Sequence, residues 1–215
     1  MSKVFFSVSV SLDGYLVPPG MDLEHAGDAS HEDWGAQWGK LHSWVFPQRF
    51  FRENLKLGEG GETGSDNQLL EHTFRRTGVS IMGKRMFELG ERMWPEEAPF
   101  HTPVFVLTSQ VREPWLRPGG TTFYFVNDGI ESALRQAREL AGARDIRIAG
   151  GAVAIQHYLR AGLVDEFTLA ISPVLFDGGQ RLFERLGRDI RLELVETIGS
   201  PRVTHVRYAV QKREI

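Results

Sequence analysis

Three short segments of the sequence contain the residue types that bind phosphate groups. They are residues 82–85 (MGKR), 108–112 (TSQVR) and 149–152 (AGGA), and each directly follows an apolar stretch typical of a β-strand. A helix that begins at such a point offers free N–H groups and the positive end of its dipole to an anion. Glycine lets the backbone approach a ligand closely, and Lys84 and Arg85 add positive charge. Together the three segments predict a site for a phosphate-bearing ligand.

Three carboxylates are candidates for proton transfer. Asp66 and Glu71 lie in a predicted helix over about residues 65–76, and Asp13 lies in a predicted turn over residues 12–15. A carboxylate beside a substrate orients it or relays a proton. Two of these residues also have a purely structural interpretation. An acidic residue in the first turn of a helix, such as Asp66, is favoured by the helix dipole, and Asp13 fits an ordinary Asp-Gly turn.

The elements that position these residues alternate between strands and helices. Predicted strands cover residues 4–10, 79–82, 104–108, 121–126, 145–149, 167–171, 191–197 and 203–210. Predicted helices cover about residues 65–76, 83–89, 130–141 and 152–160, the first and third opened by capping boxes at Ser65 and Asp128. This order predicts a three-layer α/β fold: a mainly parallel sheet with helices on both faces and an antiparallel C-terminal hairpin. Ligands of such a sheet bind at the carboxyl ends of its strands, where the three segments lie.

The composition indicates one globular domain over residues 1–215. No apolar run reaches the roughly 18 residues that a membrane span needs, so no membrane partner is expected. The absence of cysteine excludes thiolate metal sites and fits a reducing compartment. A net charge of −3 gives no reason to expect nucleic-acid binding. We therefore expect a cytoplasmic protein that acts on a small molecule.

Residues 18–64 interrupt the regular pattern and are interpreted as an irregular insertion, with a short helix over about residues 36–46. The tryptophans Trp34, Trp38 and Trp44 either pack this segment onto the domain or stack on a planar ligand. Residues 25–33 contain histidines and acidic residues, but their spacing matches no known ligand motif, so no metal is predicted.

Outside the insertion, the chain resembles the dihydrofolate-reductase-like family. The resemblance rests on the segments SVSVSLDGY, VSIMGKRMFE, PVFVLTS, IRIAGGAVAIQHYLRAGLVDEFTLAISPVLFDGGQRLF and the final hairpin. It is greatest to the branch that contains the reductase domain of the bifunctional riboflavin-biosynthesis deaminase-reductase. It implies an NADPH-dependent reductase that forms a homodimer. The hairpin, with Val203, His205, Val206 and Tyr208, is the expected contact surface.

The resemblance also implies a set of cofactor-binding positions. The positions expected to bind the cofactor's phosphate groups are Gly83, Lys84 and Arg85. The positions expected along the adenosine half, near its 2′-phosphate, are Thr108 and Ser109, and Arg112 lies just beyond them. The positions expected near the nicotinamide and the pyrophosphate are Ser9, Leu16, Gly150, Gly151, Ala152 and Val153. In the family the Gly-Gly pair carries a cis peptide bond, and Asp66 lies near the place of the catalytic carboxylate of true dihydrofolate reductases.

The expected activity is hydride transfer from NADPH to a small oxidised heterocycle, such as a pterin or a pyrimidine. Reduction of a sugar-like carbonyl, as in the riboflavin branch, is one alternative. A non-catalytic NADPH-binding protein is another. The insertion occupies the region that covers the substrate in this fold and has no recognisable motif, so the sequence does not name the substrate.

Overall fold

A computed structural model describes residues 2–21, 32–187 and 189–212 of the chain. The strands are β1 (Val4–Ser11), β2 (Tyr15–Val17), β3 (Thr77–Gly83), β4 (Pro103–Leu107), β5 (Trp115–Leu116), β6 (Thr122–Val126), β7 (Asp145–Gly150), β8 (Glu166–Ser172), β9 (Gln180–Arg181), β10 (Leu192–Gly199) and β11 (Thr204–Val210). The helices are α1 (Glu32–Leu41), α2 (Arg49–Asn54), α3 (Ser65–Arg76), α4 (Lys84–Met93), α5 (Ile130–Ala141) and α6 (Ala152–Arg160).

Within these residues, nine strands form one sheet in the order β10-β11-β8-β1-β7-β3-β4-β6-β5. The central strands are parallel: β1 pairs with β7 and β8, β3 pairs with β7 and β4, and β4 pairs with β6. The C-terminal hairpin of β10 and β11 adds to β8 in the antiparallel sense. The carboxyl ends of β1, β3, β4, β7 and β8 therefore meet at one edge, and the predicted fold class is confirmed.

Helices cover both faces of the sheet. On the first face, α5 and α6 contribute Ala137 and Ile155 to the apolar cluster that contains Ile148 of β7. On the second face, α4 contributes Phe87 to a separate cluster with Val104 of β4. Since side chains of a strand alternate between faces, β3, β4 and β7 supply residues to both clusters. The result is the predicted three-layer arrangement.

The insertion packs on the second face, over β1 and β8. Trp44 and Val45 form an apolar cluster with Ala170 of β8, and Leu70 of α3 packs against it. The short helix predicted over about residues 36–46 is present but displaced towards the N-terminus: α1 covers Glu32–Leu41, and a series of turns leads to α2. Pro47 has no N–H to donate, so no helix continues through it into α2.

The two predicted capping boxes are also wrong. The N-cap of α3 is Gly64, whose carbonyl accepts the N–H of Gln68, and no side chain caps this helix. The N-cap of α5 is Gly129, again without a side-chain cap. Gly129 has φ +101°, a conformation that glycine adopts at little cost.

From the sequence we expect neither a membrane-spanning segment nor a metal site, and the structure bears on these two expectations only through the residues that it describes. In the described ranges, no helix is long and apolar enough to cross a membrane. Across the same ranges, no three histidine, cysteine or acidic side chains gather as metal ligands. Residues 25–33, in which no metal site is predicted, lie largely outside the described residues.

Candidate functional site

The starts of α4 and α6 lie side by side at the carboxyl edge of the sheet. A Cβ built on Gly83 would lie 3.8 Å from the Gly151 nitrogen and 3.9 Å from the Gly150 oxygen. Gly83 and Gly151 are the N-caps of these helices, and neither helix has a side-chain cap. The N–H groups of both first turns therefore have no side-chain acceptor in the described residues, and the two helix starts are adjacent. The Gly150–Gly151 peptide bond is cis, as the resemblance implied.

The end of β4 adds the third predicted segment to this edge. Leu107 is the register partner of Gly83, so Thr108 and Ser109 directly flank the start of α4. The Thr108 hydroxyl accepts the N–H of Gln110 at 3.1 Å, which fixes the turn, and Ser109 is exposed. Sheet order thus brings the three segments together.

The three predicted cations of this edge differ in how far their charge is compensated. Lys84 lies 3.5 Å from Glu88, one turn further along α4. Arg112 pairs with Glu91 at 2.9 Å. Its guanidinium also stacks over the ring of Phe125, 4.4 Å from the ring centre. Arg85 is exposed and has no ion pair within the part of the chain that the structure describes. It therefore carries the least compensated charge of the three.

A cleft of about 420 Å³ opens beside Arg85. Its lining residues are Val17, Pro18, Gly20, Met21, Arg85, Gly179, Gln180 and Glu184. One wall is the short antiparallel pair of β2 and β9, which the sequence did not predict. Gly179 in this wall has φ +97°, and a Cβ there would lie 2.1 Å from the Val17 oxygen, so only glycine fits.

Asp13 holds the turn after β1 to the segment that follows β8. Its carboxylate accepts the N–H groups of Asp177 at 2.8 Å and of Phe176 at 3.2 Å, and the Ser11 hydroxyl at 2.6 Å. Desolvation alone would raise the pKa of Asp13, but these hydrogen bonds outweigh it and lower the pKa. Both carboxylate oxygens of Asp13 already accept hydrogen bonds, which favours a role in holding this turn in place over a role in proton transfer.

Asp66 is buried in a closed polar group on the second face of the sheet. His205 of β11 donates to its Oδ1 at 2.8 Å, and the ring of Trp44 meets the His205 ring edge-on at 4.9 Å. The Trp44 indole N–H donates to the Ser9 hydroxyl at 3.0 Å. Burial lowers the pKa of His205, although Asp66 opposes this shift. Ser9, Trp44, Asp66 and His205 are called the Asp66 group below.

The remaining predicted residues are placed as follows. Leu16 packs against the first-face cluster, whereas Ser9 lies on the second face under Trp44, so the two do not line one pocket. Glu71 pairs with Arg75 on the outer side of α3 and does not join the Asp66 group. Ala152 is fully buried in the first turn of α6, and Val153 beside it is exposed.

His205 was missed as a site residue. Its signal in the sequence is a polar residue at an inward-facing position: His205 is the register partner of Ala170, which in turn is the partner of Ser9. A buried polar side chain of this kind needs a partner. Sequence periodicity does not identify that partner, because Asp66 lies 139 residues away.

The fold and the paired helix starts define a dihydrofolate-reductase-like α/β protein. The sequence profile of the RibD C-terminal domain matches residues 2–205, and the chain belongs to this family. A 73-residue segment is 38% identical to the uncharacterized protein YyaP of Bacillus subtilis (strain 168). This match spans 34% of the chain and 38% of YyaP.

Three solved structures share the fold at low sequence identity. A protein from Shewanella sp. PV-4 described as a riboflavin biosynthesis protein is 20% identical over 99% of this chain and 100% of its own, with a TM-score of 0.63. A diaminohydroxyphosphoribosylaminopyrimidine deaminase/5-amino-6-(5-phosphoribosylamino)uracil reductase from Thermotoga maritima is 13% identical over 98% of this chain and 57% of its own, with a TM-score of 0.58. Dihydrofolate reductase from Enterococcus faecalis, complexed with NADP(H), is 14% identical over 98% of this chain and 97% of its own, with a TM-score of 0.55.

Proposed function

We propose that the protein is an NADPH-dependent reductase of a small pyrimidine-like heterocycle. The observation that carries this proposal is the pair of uncapped helix starts, α4 and α6, which meet at Gly83 and Gly151 beside the charge of Arg85. Membership of the RibD C-terminal domain family supports it. So do the uracil reductase activity in the description of the Thermotoga relative and the NADP(H) bound to the Enterococcus relative.

The residues of the carboxyl edge are of the types that would hold such a nucleotide. The open N–H groups of α4 and α6 would hold its phosphates, with Lys84 and Arg85 supplying charge. Ser109, at the end of β4, is exposed and would lie near the 2′-phosphate. Gly151 leaves room for the nucleotide, because a Cβ there would enter open space. The cofactor, when bound, supplies the hydride, while these residues orient it.

Reduction of a C=N or C=O bond consumes a proton as well as a hydride. The N-terminus of α3 lies at the carboxyl edge because α3 leads directly into β3, and this brings Asp66 to that edge. The hydrogen-bonded pair of Asp66 and His205 would relay a proton from water to a substrate at this edge. Asp66 therefore remains our candidate for the proton relay, with His205 as its positioning residue.

One observation favours the non-catalytic alternative. The Asp66 group is closed to solvent by Trp44, so a substrate reaches Asp66 only if this indole is displaced. A screen of NADPH oxidation with pyrimidines, pterins and sugar-like carbonyl compounds separates the two functions. Oxidation with none of them, together with tight NADPH binding, would favour the binding protein.

NADPH is expected to raise the melting temperature more than NADH does at equal concentration. The extra 2′-phosphate gains charge-assisted hydrogen bonds, and even one such bond is worth about a tenfold difference in affinity. Arg85→Gln should reduce the difference between the melting-temperature increases caused by NADPH and NADH, and added salt should reduce this difference too. Arg92→Gln, at the far end of α4, is the matched control and should leave it unchanged. Equal stabilisation by both nucleotides would contradict the cofactor assignment.

Gly151→Ala is expected to weaken NADPH binding while the free protein stays as stable as the wild type. A Cβ at Gly151 meets nothing within 4 Å, so it enters the open space between the helix starts. Gly150→Ala is a poorer test, because Gly150 has φ +142° and its Cβ would lie 2.9 Å from the Met86 sulfur. Calorimetric titration with NADPH measures the effect, with Gly199→Ala as the control. Wild-type affinity in Gly151→Ala would place the cofactor elsewhere.

The homodimer is proposed to form through β10. Val203, His205 and Val206, expected to contribute, are buried within the chain: Val203 packs with Trp44 and Ala170, and His205 contacts Asp66 and Trp44. Tyr208, also expected to contribute, packs beside Phe167. The edge strand β10 instead exposes Leu194 (59%) and Val195 (47%). Light scattering should give the mass of a dimer across the micromolar range, and Leu194→Asp should shift it towards the monomer. A monomeric wild-type protein would refute the proposal.

A further inference from the structure

Trp44 covers the Asp66 group, and the contacts that hold this indole decide whether a ligand reaches Asp66. The Trp44 side chain is 6% exposed and packs with Ala170 and Val203. Its indole N–H donates to the Ser9 hydroxyl at 3.0 Å. The residue itself lies in the turns between α1 and α2, outside any helix or strand. Its position therefore depends on contacts from other segments of the chain.

Gln48 holds the backbone of Trp44 from inside the protein. Its amide nitrogen, Nε2, donates to the Trp44 carbonyl at 2.8 Å and lies 3.3 Å from Oε2 of Glu62. Gln48 is 1% exposed, and its Oε1 atom has no hydrogen-bond partner among the described residues. A buried acceptor without a partner destabilises the arrangement that contains it. The closed position of Trp44 therefore carries a cost, which movement of this segment into solvent would relieve.

Glu62 connects Gln48 to the C-terminal hairpin. Its N–H donates to the Pro47 carbonyl at 2.8 Å, and its carbonyl accepts the N–H of Arg49 at 2.9 Å, so Glu62 lies alongside the start of α2. Its Oε2 atom accepts a hydrogen bond from Nη1 of Arg202 at 2.7 Å. Arg202 lies in the turn between β10 and β11. One carboxylate oxygen thus joins the segment that carries Trp44 to the hairpin.

The two ends of this connection differ in strength. Gly61 has φ +128°, and a Cβ there would lie 2.8 Å from the Pro47 oxygen, so only glycine lets the chain pass this close to α2. At the other end, the side chains of Glu62 and Arg202 are 46% and 42% exposed. Exposed ion pairs are weak and are screened by salt. The connection is therefore fixed by shape beside α2 and opens easily at the hairpin.

We propose that three side chains form a latch that holds Trp44 over Asp66 and opens to admit a ligand. The latch consists of Gln48, Glu62 and Arg202. When the exposed ion pair separates, Glu62 no longer restrains Gln48, and the turn that carries Trp44 moves away from the Asp66 group. All three are positioning residues, because they act on Asp66 only through the indole. The inference rests on the proposed function for the identity of the ligand alone, since the latch belongs to the free protein.

Hydrogen exchange of the Trp44 indole N–H reports on opening of the latch without any ligand. This proton is bonded to Ser9 in the closed position, so it exchanges with solvent only when the indole leaves its place. NMR spectra of the whole protein with isotope-labelled tryptophan measure the rate, and Trp44→Phe assigns the signal. Glu62→Gln and Arg202→Gln should each raise the rate about two- to fivefold, the range expected for loss of an exposed ion pair.

Matched variants separate the latch from a general loss of stability. Glu53→Gln removes a carboxylate from the exposed pair with Arg49 on α2 and should leave the rate unchanged. The double variant Glu62→Gln/Arg202→Gln should exchange no faster than either single variant, because both changes break the same pair. Added salt should raise the rate in the wild type but not in Glu62→Gln. The backbone amide of Phe6, in the core of the sheet, should exchange equally in all samples.

A substrate found in the NADPH oxidation screen adds a second measurement. In Glu62→Gln and Arg202→Gln, KM should fall by a factor similar to the gain in indole exchange, with little change in kcat, because opening precedes binding. Unchanged indole exchange in both variants would overturn the inference, and so would faster exchange with an unchanged KM. If no compound is reduced, the proposed function fails, and indole exchange alone decides whether the latch exists.

Discussion

Replacing Arg76 with methionine is expected to lower the free energy of unfolding by about 3 kcal/mol. The side chain is only 17% exposed and lies at the amino ends of the strands, where its Nη1 contacts Glu166 and its Nη2 contacts Asp145, both at 2.7 Å. Its guanidinium also lies 4.0 Å from the centre of the Phe5 ring. Removing Arg76 leaves two carboxylates near each other with less compensating charge. Urea unfolding measures the loss.

Arg75→Met is the control for this prediction, because it changes the same residue type one position earlier in α3. The Arg75 side chain is 76% exposed and pairs with Glu71 in solvent. Exposed ion pairs of this kind are worth about 0.5 kcal/mol or less. Equal losses in the two variants would show that the buried cluster contributes no more than a surface pair.

The effect of Arg76→Met should also depend on pH. Burial alone would raise the pKa of Glu166, but hydrogen bonds from Lys3 and Arg76 outweigh it and lower the pKa below the ordinary value of 4.5. A lowered pKa in the folded state stabilises the fold above the unfolded pKa, and this is lost as the pH falls through the folded value. The difference between wild type and Arg76→Met should therefore be complete at pH 7 and should shrink below about pH 4.

Asp66→Asn is expected to lower turnover by about 10²–10⁴-fold and to leave NADPH affinity unchanged. The asparagine oxygen can still accept the hydrogen bond from His205, so the local structure is retained while the carboxylate that takes up and passes on a proton is lost. The measurement is the steady-state rate on a substrate found in the NADPH oxidation screen, together with the dissociation constant for NADPH.

Glu71→Gln is the control for Asp66→Asn. It removes a carboxylate from the same helix outside the Asp66 group, and turnover should stay at the wild-type level. Unchanged turnover in Asp66→Asn would contradict the assignment and leave Glu71, Asp13 or water as the proton source.

The sheet and its binding edge were predictable because they depend on local patterns. Alternating or continuous apolar runs indicate strands, and the glycines after two of them indicate places where a helix begins beside a ligand. The parallel arrangement then requires these places to meet at one edge. Gly83 and Gly151 accordingly lie together in the structure.

The contacts that tune the site were not predictable in this way. Arg112 pairs with Glu91, 21 residues away, and His205 pairs with Asp66 across most of the chain. Such contacts depend on which helix lies over which strand, and periodicity does not contain that information. The strands β2 and β9 are too short to show any period.

The cluster of Arg76 with Asp145 and Glu166 has a consequence for how this chain can change over generations. All three residues stand where strands begin, whereas the glycines and open helix starts stand where strands end. The groups that hold the sheet together therefore share no side chain with those that face a ligand. Substitutions can accumulate at the binding edge, and a descendant can acquire a new substrate, while the opposite edge keeps the architecture foldable.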